Sequence, residues 1–180
     1  MKRTITLGMA LAMFAIVACN TAPKSDADKK AQGSEVEATL TKFKAKHASV
    51  DVYMKSAHGY AVFPTVGKGG MGIGGAFGRG QVFVGGEMVG YSKLTSASIG
   101  FQLGGQSFSE LIFFEDKAAF EKFKSGEFGF DANASAVAAT AGAAAKADYK
   151  GGVAVFVMAD AGLMYEASIG GQKFKFDAAK

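Results

Sequence analysis

A stretch dense in glycine, residues 59–90, most constrains what this chain can fold into. It holds 12 of the chain's 25 glycines, whereas glycine makes up about 7% of an average protein. Because each glycine inside a helix costs roughly 0.5–1 kcal/mol, the stretch excludes a coiled coil or a helical bundle. With 49% apolar and 20% charged residues, the 180-residue chain can still bury a core. The glycines are therefore expected in the strands and turns of one domain.

The same stretch alternates with the two-residue period of a β-strand. In residues 70–77, the large side chains of Met71, Ile73 and Phe77 share one face, whereas the other face carries only glycine and alanine. A strand with one bare face lets another backbone or an aromatic ring approach closely. This pattern predicts a sheet whose strands pack at short range.

The positions of glycine and proline predict where these strands end. A short strand at 60–63 is expected to stop at Pro64, and Gly78, Arg79 and Gly80 are expected to form a hairpin turn. Residues 128–147, which include an alanine-rich run, fit a strand or a helix equally well. Further strands are predicted at 81–84, 87–91, 98–114, 153–158, 163–169 and 172–176.

Helices are predicted before the sheet and in its middle. Ser34 followed by Glu37 is the capping-box pattern of a helix start. The apolar stripe after it, which breaks near 48–49, can pack on a sheet or lie on a bilayer; it consists of Val36, Leu40, Phe43, Val50 and Met54. The patterns together predict an α+β fold: an N-terminal helical segment, a Gly-rich antiparallel, curled or barrel-like β-sheet of roughly seven or eight strands, and a short helix near 116–124.

The N-terminus has the pattern of a signal peptide. Lys2 and Arg3 precede an uncharged run at 5–17, which is shorter than the roughly 20 apolar residues that a membrane-spanning helix needs. The run ends in Val-Ala-Cys and resembles a bacterial lipobox, whose cysteine is diacylated before cleavage. Cys19 is the only cysteine, so an internal disulfide is excluded. We predict a signal peptide at 1–18, a lipidated Cys19 with a flexible tether at 19–33, and a domain at 34–180.

Charge further limits the function. Without residues 1–18 the chain has 18 basic and 16 acidic residues, which is too little positive charge for binding to nucleic acid. Arg79 is the only arginine of that part, and a guanidinium suits a phosphate or carboxylate head group. We predict contact with anionic lipid head groups through the apolar stripe of the first helix and the basic residues Lys42, Lys44, Lys46, Lys68 and Arg79.

No pattern in the sequence selects a catalytic, cofactor or metal site. Residues 67–72 spell GxGxxG, but the strand period that follows them is not the helix that a dinucleotide site requires. His47 and His58, eleven residues apart, would lie about 16 Å from each other in a continuous helix and could not share a metal. A GxSxG nucleophile motif is absent from the sequence. We therefore predict a protein that is not an enzyme and has no cofactor.

The glycine-punctuated blocks resemble the SYLF domain, also called the Ysc84 actin-regulator family. The resemblance lies in residues 59–64, 68–80, 90–92, 99–104, 130–135 and 161–171. Tyr91 stands where many relatives have tryptophan, and the Gly-Pro often found after the alanine-rich block is absent. The resemblance implies a membrane-associated module; eukaryotic members bind phosphoinositides, and some bind actin. Because a periplasmic protein meets neither of these ligands, we carry over lipid binding only as a class.

The resulting prediction is a membrane-anchored lipid-binding module of the bacterial cell envelope. Asn20, next to the lipobox cysteine, favours the periplasmic face of the outer membrane in the sorting pattern that this resembles. An alternative is a structural envelope lipoprotein that binds a protein partner. A small outer-membrane barrel, which the absence of tryptophan disfavours, and an uncharacterised hydrolase are further alternatives.

Overall fold

The computed structural model of the protein describes residues 21–71, 73–99, 106–126, 137–138, 149–159 and 171–179. The predictions for 1–18, for Cys19, for the strand at 163–169 and for most of 128–147 lie outside these residues. Among the described residues, no helix is long and apolar enough to cross a membrane.

Within the described residues the chain forms three helices and one mixed sheet, which confirms the predicted α+β fold. The helices are α1 (Asp26–Lys46), α2 (Val50–Ser56) and α3 (Lys117–Ser125). The strands are β1 (Gly59–Met71), β2 (Ile73–Val84), β3 (Glu87–Ile99), β4 (Gln106–Phe114), β5 (Val137–Ala138), β6 (Val153–Ala159) and β7 (Gln172–Ala178), in the order β5-β6-β4-β1-β2-β3-β7. Six strands pair antiparallel and the two-residue β5 pairs parallel to β6, so the antiparallel strands are slightly fewer than predicted.

Helix α1 begins earlier than its sequence pattern predicted. Ser25 is its N-cap, because the Ser25 hydroxyl accepts a hydrogen bond from the Asp28 backbone N–H at 3.1 Å. Ser34 lies inside the helix, where its hydroxyl donates to the Lys30 carbonyl. The prediction of a helix start at Ser34 was therefore wrong, and residues 26–33 of the predicted tether are helical. The predicted break near 48–49 is confirmed, since α2 starts at Val50.

A bulge in β1 explains two further corrections. The register of β1 shifts between residues 62 and 65 against β2 and between residues 63 and 66 against β4, and β1 continues through Pro64 instead of ending there. A proline has no N–H to donate, and a bulge tolerates that loss. Opposite the bulge, a side chain on Gly80 would put a Cβ 2.2 Å from the Val62 carbonyl oxygen. The glycine at 80 therefore permits close strand contact, and residues 78–80 lie inside β2, not in a turn. The turn after β2 contains Gly85 and Gly86, which both have positive φ.

The sheet curls so strongly that distant strands touch through their inner side chains. Strands β4 and β7 have three strands between them, which would separate them by about 19 Å in a flat sheet. Nevertheless, the Gln172 side-chain amide of β7 donates to the Glu110 carboxyl group of β4 at 2.9 Å. The rings of Phe63 and Phe174 approach to 5.7 Å on the same inner side. Among the described residues the two edge strands do not pair with each other, so the curled sheet is not closed into a barrel.

Helices cover both sides of this curled sheet. Phe120 and Phe123 of α3 are buried in the inner core with Phe63 and Phe174. The predicted α3 is confirmed, with Asp116 as its N-cap and Gly126 as its C-cap. On the outer side, α1 and α2 pack their apolar stripe against β1, β4 and β6; its fully buried members are Val36, Phe43 and Val50. The stripe is thus core, and the prediction that it contacts a membrane was wrong.

Candidate functional site

A basic surface lies where α1 leaves the outer side of β2, β3 and β7 uncovered. Arg79 of β2 pairs in register with Lys93 of β3, and Lys93 pairs with Lys175 of β7. Side chains of directly paired residues point to the same face with Cβ atoms about 5 Å apart. Lys173 lies two residues from Lys175 on the same face, as the exposure of both side chains confirms. We call the surface formed by Phe77, Arg79, Lys93, Lys173 and Lys175 the outer sheet face.

Phe77 lies on the β2 side of the outer sheet face and is 45% exposed. The Arg79 guanidinium carbon is 5.7 Å from the centroid of its ring, and the Lys93 ammonium nitrogen is 5.3 Å from it. Both distances fall within the range of a cation–π interaction. An exposed aromatic ring between two cations can enter the interface of a bilayer while the cations contact its head groups.

No basic side chain of the outer sheet face forms an ion pair within the described residues, although the charge of Lys175 helps to lower the pKa of the nearby Asp177 carboxylate. The ion pairs found there join Lys29 to Asp26, Lys44 to Asp51 and Lys124 to Glu121, and all lie elsewhere. Like charges on directly paired strand residues destabilise a sheet. A row of three cations across neighbouring strands therefore costs stability unless an anion binds there.

A cleft of about 670 Å³ adjoins this surface. One wall is the N-terminal half of α1, which contributes Asp28, Gln32 and Glu35 at the spacing of one helix face. The opposite wall is formed by β1 and β2 and includes Phe77 and Arg79. Arg79 thus borders both the cleft and the outer sheet face.

The structure separates the residues that the sequence predicted as one basic set. Lys68 pairs with Ala76, one residue out of phase with Phe77, so its side chain points to the inner side, away from Arg79. Lys42, Lys44 and Lys46 are exposed near the end of α1, whereas the cleft beside Arg79 is reached by Asp28 to Glu35. Of the predicted set, only Arg79 lies on the outer sheet face.

Sequence reasoning missed Phe77, Lys93, Lys173 and Lys175 as members of a site. The alternation of Lys173 and Lys175 with Gln172 and Phe174 is visible in the sequence and already puts both lysines on one face of a strand. The pairing of β7 with β3, which brings these lysines beside Lys93, is not visible there.

The chain that follows Cys19 is fixed next to the outer sheet face. The Thr21 backbone N–H donates to the Asp177 carboxylate at 2.9 Å, and Thr21 is buried. Polar interactions with the Thr21 side chain and backbone, together with the charge of Lys175, hold the pKa of Asp177 below its usual range. Asp177 is two residues beyond Lys175 in β7.

Two buried titratable groups lie away from this surface. The Glu110 side chain is fully buried on the inner side, and burial raises its pKa to about 8 although the hydrogen bond from Gln172 acts in the opposite direction. His47 is buried on the outer side against the ring of Phe156, and burial lowers its pKa. Both histidine nitrogens lack a hydrogen-bond partner within the described part of the chain. Among those residues, no three His, Cys, Asp or Glu side chains are placed to hold a metal ion.

The fold and its surface define an α+β protein with a curled antiparallel sheet that exposes an aromatic ring between cations. Residues 95–180 match the family described as "Ysc84: Las17-binding protein actin regulator". The chain is also similar to Beta cell expansion factor A of Aeromonas veronii, at 32% identity over 87 residues, which are 48% of this chain and 33% of that protein. The chain therefore matches about a third of the length of this curated relative.

Residues 95–180 match the Ysc84, or SYLF, family model, so the predicted resemblance is confirmed over these residues. This family is known for lipid binding and interaction and is not a known enzyme family. The blocks at 59–64 and 68–80 precede the matched residues and remain a resemblance.

Proposed function

We propose that this protein binds the surface of an anionic membrane through the outer sheet face. The observation that carries the proposal is the row of Arg79, Lys93 and Lys175 across three paired strands, with the exposed Phe77 beside it. A cation near an anionic bilayer contributes about 1 kcal/mol. The four cations of this face therefore supply several kcal/mol of attraction, and Phe77 adds a buried apolar ring once it enters the interface.

A lipid anchor on Cys19 fits the same orientation. In the sequence Cys19 precedes Thr21 by two residues, and the Thr21 backbone N–H is hydrogen-bonded to Asp177 at the end of β7, beside Lys175. Acyl chains on Cys19 would therefore leave the domain next to the outer sheet face. A single acyl chain binds a membrane only marginally, so several chains together with a basic surface give stable attachment. We propose that this attachment is in the cell envelope, on the periplasmic face of the outer membrane.

The lysines of α1 that the sequence predicted form a second, separate contact with the membrane in this proposal. Lys42 and Lys46 are exposed, whereas Lys44 lies 3.6 Å from the Asp51 carboxylate and is partly neutralised. Lys68 points to the inner side of the sheet and is not part of the proposed contact. That the protein is not an enzyme stays a prediction, which the known character of the family supports.

The test is co-sedimentation of the full chain carrying Cys19→Ser, which cannot be diacylated, with phosphatidylglycerol vesicles. Removing two cations by Arg79→Ala and Lys93→Ala should weaken binding by roughly tenfold or more at low salt. The matched control is Lys117→Ala with Lys122→Ala on α3, which removes the same charge from two exposed lysines elsewhere. Raising the salt concentration should weaken binding of the unsubstituted chain.

Two results would overturn the lipid proposal. One is no binding to phosphatidylglycerol vesicles at low salt. The other is an equal loss of vesicle binding in the α3 control variant and in the variant with Arg79→Ala and Lys93→Ala. This result would show that only the net charge of the protein matters. If the chain binds no vesicles but retains a protein partner from detergent-solubilised membranes, the alternative of an envelope protein that binds a protein partner is favoured.

A further inference from the structure

The cleft beside Arg79 has two walls of opposite charge. Asp28 and Glu35 lie on the α1 wall, and Arg79 lies on the sheet wall. Lys24, just before the start of α1, also lines the cleft. Within the described residues none of these four side chains forms an ion pair with another. The volume of about 670 Å³ lies in the usual range for ligand sites.

A buried acceptor also lies on the α1 wall. The Gln32 side-chain oxygen is buried but accepts no hydrogen bond from any described residue. Leaving a buried polar atom without a partner costs free energy, and a donor in the cleft would recover that cost once the Gln32 side chain turns its oxygen toward the cleft. Gln32 lies between Asp28 and Glu35 on the same helix face. The three side chains therefore carry oxygen acceptors that suit a group donating several hydrogen bonds.

We propose that this cleft binds a phosphate ester that also carries an ammonium group, as a phosphoethanolamine head group does. The phosphate contacts Arg79 and Lys24, because a guanidinium and an ammonium are the donors that suit phosphate oxygens. The ligand's ammonium group donates to the carboxylates of Asp28 and Glu35, and to Gln32 once that side chain turns toward the cleft. The inference rests on the proposed function in one respect, which is that Arg79 belongs to both surfaces.

The two walls select against simpler ligands. A bare phosphate would gain Arg79 but meet the repulsion of Asp28 and Glu35. A bare cation would gain the carboxylates but meet the repulsion of Arg79 and Lys24. A ligand with both charges, separated by a short linker, satisfies both walls at once.

The test uses the full chain with Cys19→Ser and three soluble probes in isothermal titration calorimetry: phosphoethanolamine, inorganic phosphate and ethanolamine. Phosphoethanolamine should bind about tenfold more tightly than either fragment, since it gains charge-assisted hydrogen bonds at both ends. Glu35→Gln should reduce its affinity to about that of inorganic phosphate. The matched control is Glu37→Gln on the same helix, whose side chain does not line the cleft and should leave the affinity unchanged.

Equal affinity for phosphoethanolamine and inorganic phosphate would overturn the inference. It would also be overturned if Glu35→Gln bound phosphoethanolamine in preference to inorganic phosphate as strongly as the unsubstituted chain does. Measurements of vesicle binding distinguish failure of this inference from failure of the proposed function. Glu35→Gln should still bind pure phosphatidylglycerol vesicles, whereas Lys93→Ala with Lys173→Ala should lose vesicle binding and keep phosphoethanolamine binding. If phosphatidylethanolamine added to the vesicles strengthens binding of the unsubstituted chain, the ligand is a lipid head group. If it does not, while the soluble probe still binds, the ligand is a free phosphate ester.

Discussion

Replacing Glu110 by glutamine is expected to make the protein more stable at pH 8 but not at pH 5. The Glu110 carboxyl group is fully buried and has a pKa of about 8, against an ordinary value of 4.5. Between these two pH values the folded protein retains a proton that the unfolded chain has released. The contribution of Glu110 to stability is therefore fully present below about pH 4.5 and is lost as the pH rises toward 8.

The pKa difference sets the size of this effect. A rise from 4.5 to about 8 corresponds to a loss on the order of 5 kcal/mol at 1.36 kcal/mol for each pH unit. Glutamine has nearly the same shape and is neutral at every pH. Its amide can also donate to the Gln172 side-chain oxygen, which has no partner among the described residues. The difference in free energy of unfolding between Glu110→Gln and the unsubstituted chain should therefore grow by several kcal/mol between pH 5 and pH 8.

Urea unfolding followed by circular dichroism at pH 5, 6, 7 and 8 measures this difference. Glu115→Gln is the matched control, because Glu115 is exposed just beyond the same strand. A constant difference for Glu110→Gln across the range would refute the reasoning. It would mean that the carboxyl group ionises freely in the folded protein and that the curled sheet does not bury it.

Two further predictions concern the core and the bulge. The melting temperature of His47→Phe relative to that of the unsubstituted protein should be higher at pH 5 than at pH 7. Burial lowers the pKa of His47, so the unsubstituted protein loses stability as the pH falls below about 6.5. An identical pH dependence of the melting temperature in both proteins would contradict this. Gly80→Ala should destabilise the protein by about 2 kcal/mol or more in urea unfolding, since its Cβ would lie 2.2 Å from the Val62 carbonyl oxygen. Gly67→Ala, whose Cβ would meet nothing within 4 Å, should cost little, and equal losses for the two glycines would show that the strands are not so close.

Local patterns predicted the elements better than their boundaries. The caps Asp116 and Gly126 lie next to the helix they delimit, so their sequence signals were sufficient for α3. The strand at 172–176 was predicted from its alternation and is confirmed within β7. In contrast, the capping box at Ser34 competed with an earlier cap at Ser25, and the earlier cap starts the helix.

The site was less predictable because it depends on pairing between distant strands. Gly78 and Gly80 have the composition of a turn, but they are required by the close approach of β1 at its bulge. This placed Arg79 in the middle of a strand, where its neighbours are set by the register of β2 with β3. The contribution of β7 comes from pairing across about eighty residues, as in Lys93 with Lys175. Periodicity shows which face a residue occupies, but not which strand lies beside it.

The central claim is that the outer sheet face contacts the membrane, and an environment-sensitive fluorophore on residue 77 tests it most directly. In the Cys19→Ser background the chain has no other cysteine, so Phe77→Cys can be labelled at one position. Val52→Cys on α2, where the native side chain is 64% exposed, gives a matched label away from that face. On addition of phosphatidylglycerol vesicles, we expect a blue shift and increased intensity at residue 77 and no change at residue 52. A response at residue 52 with none at residue 77 would contradict the account.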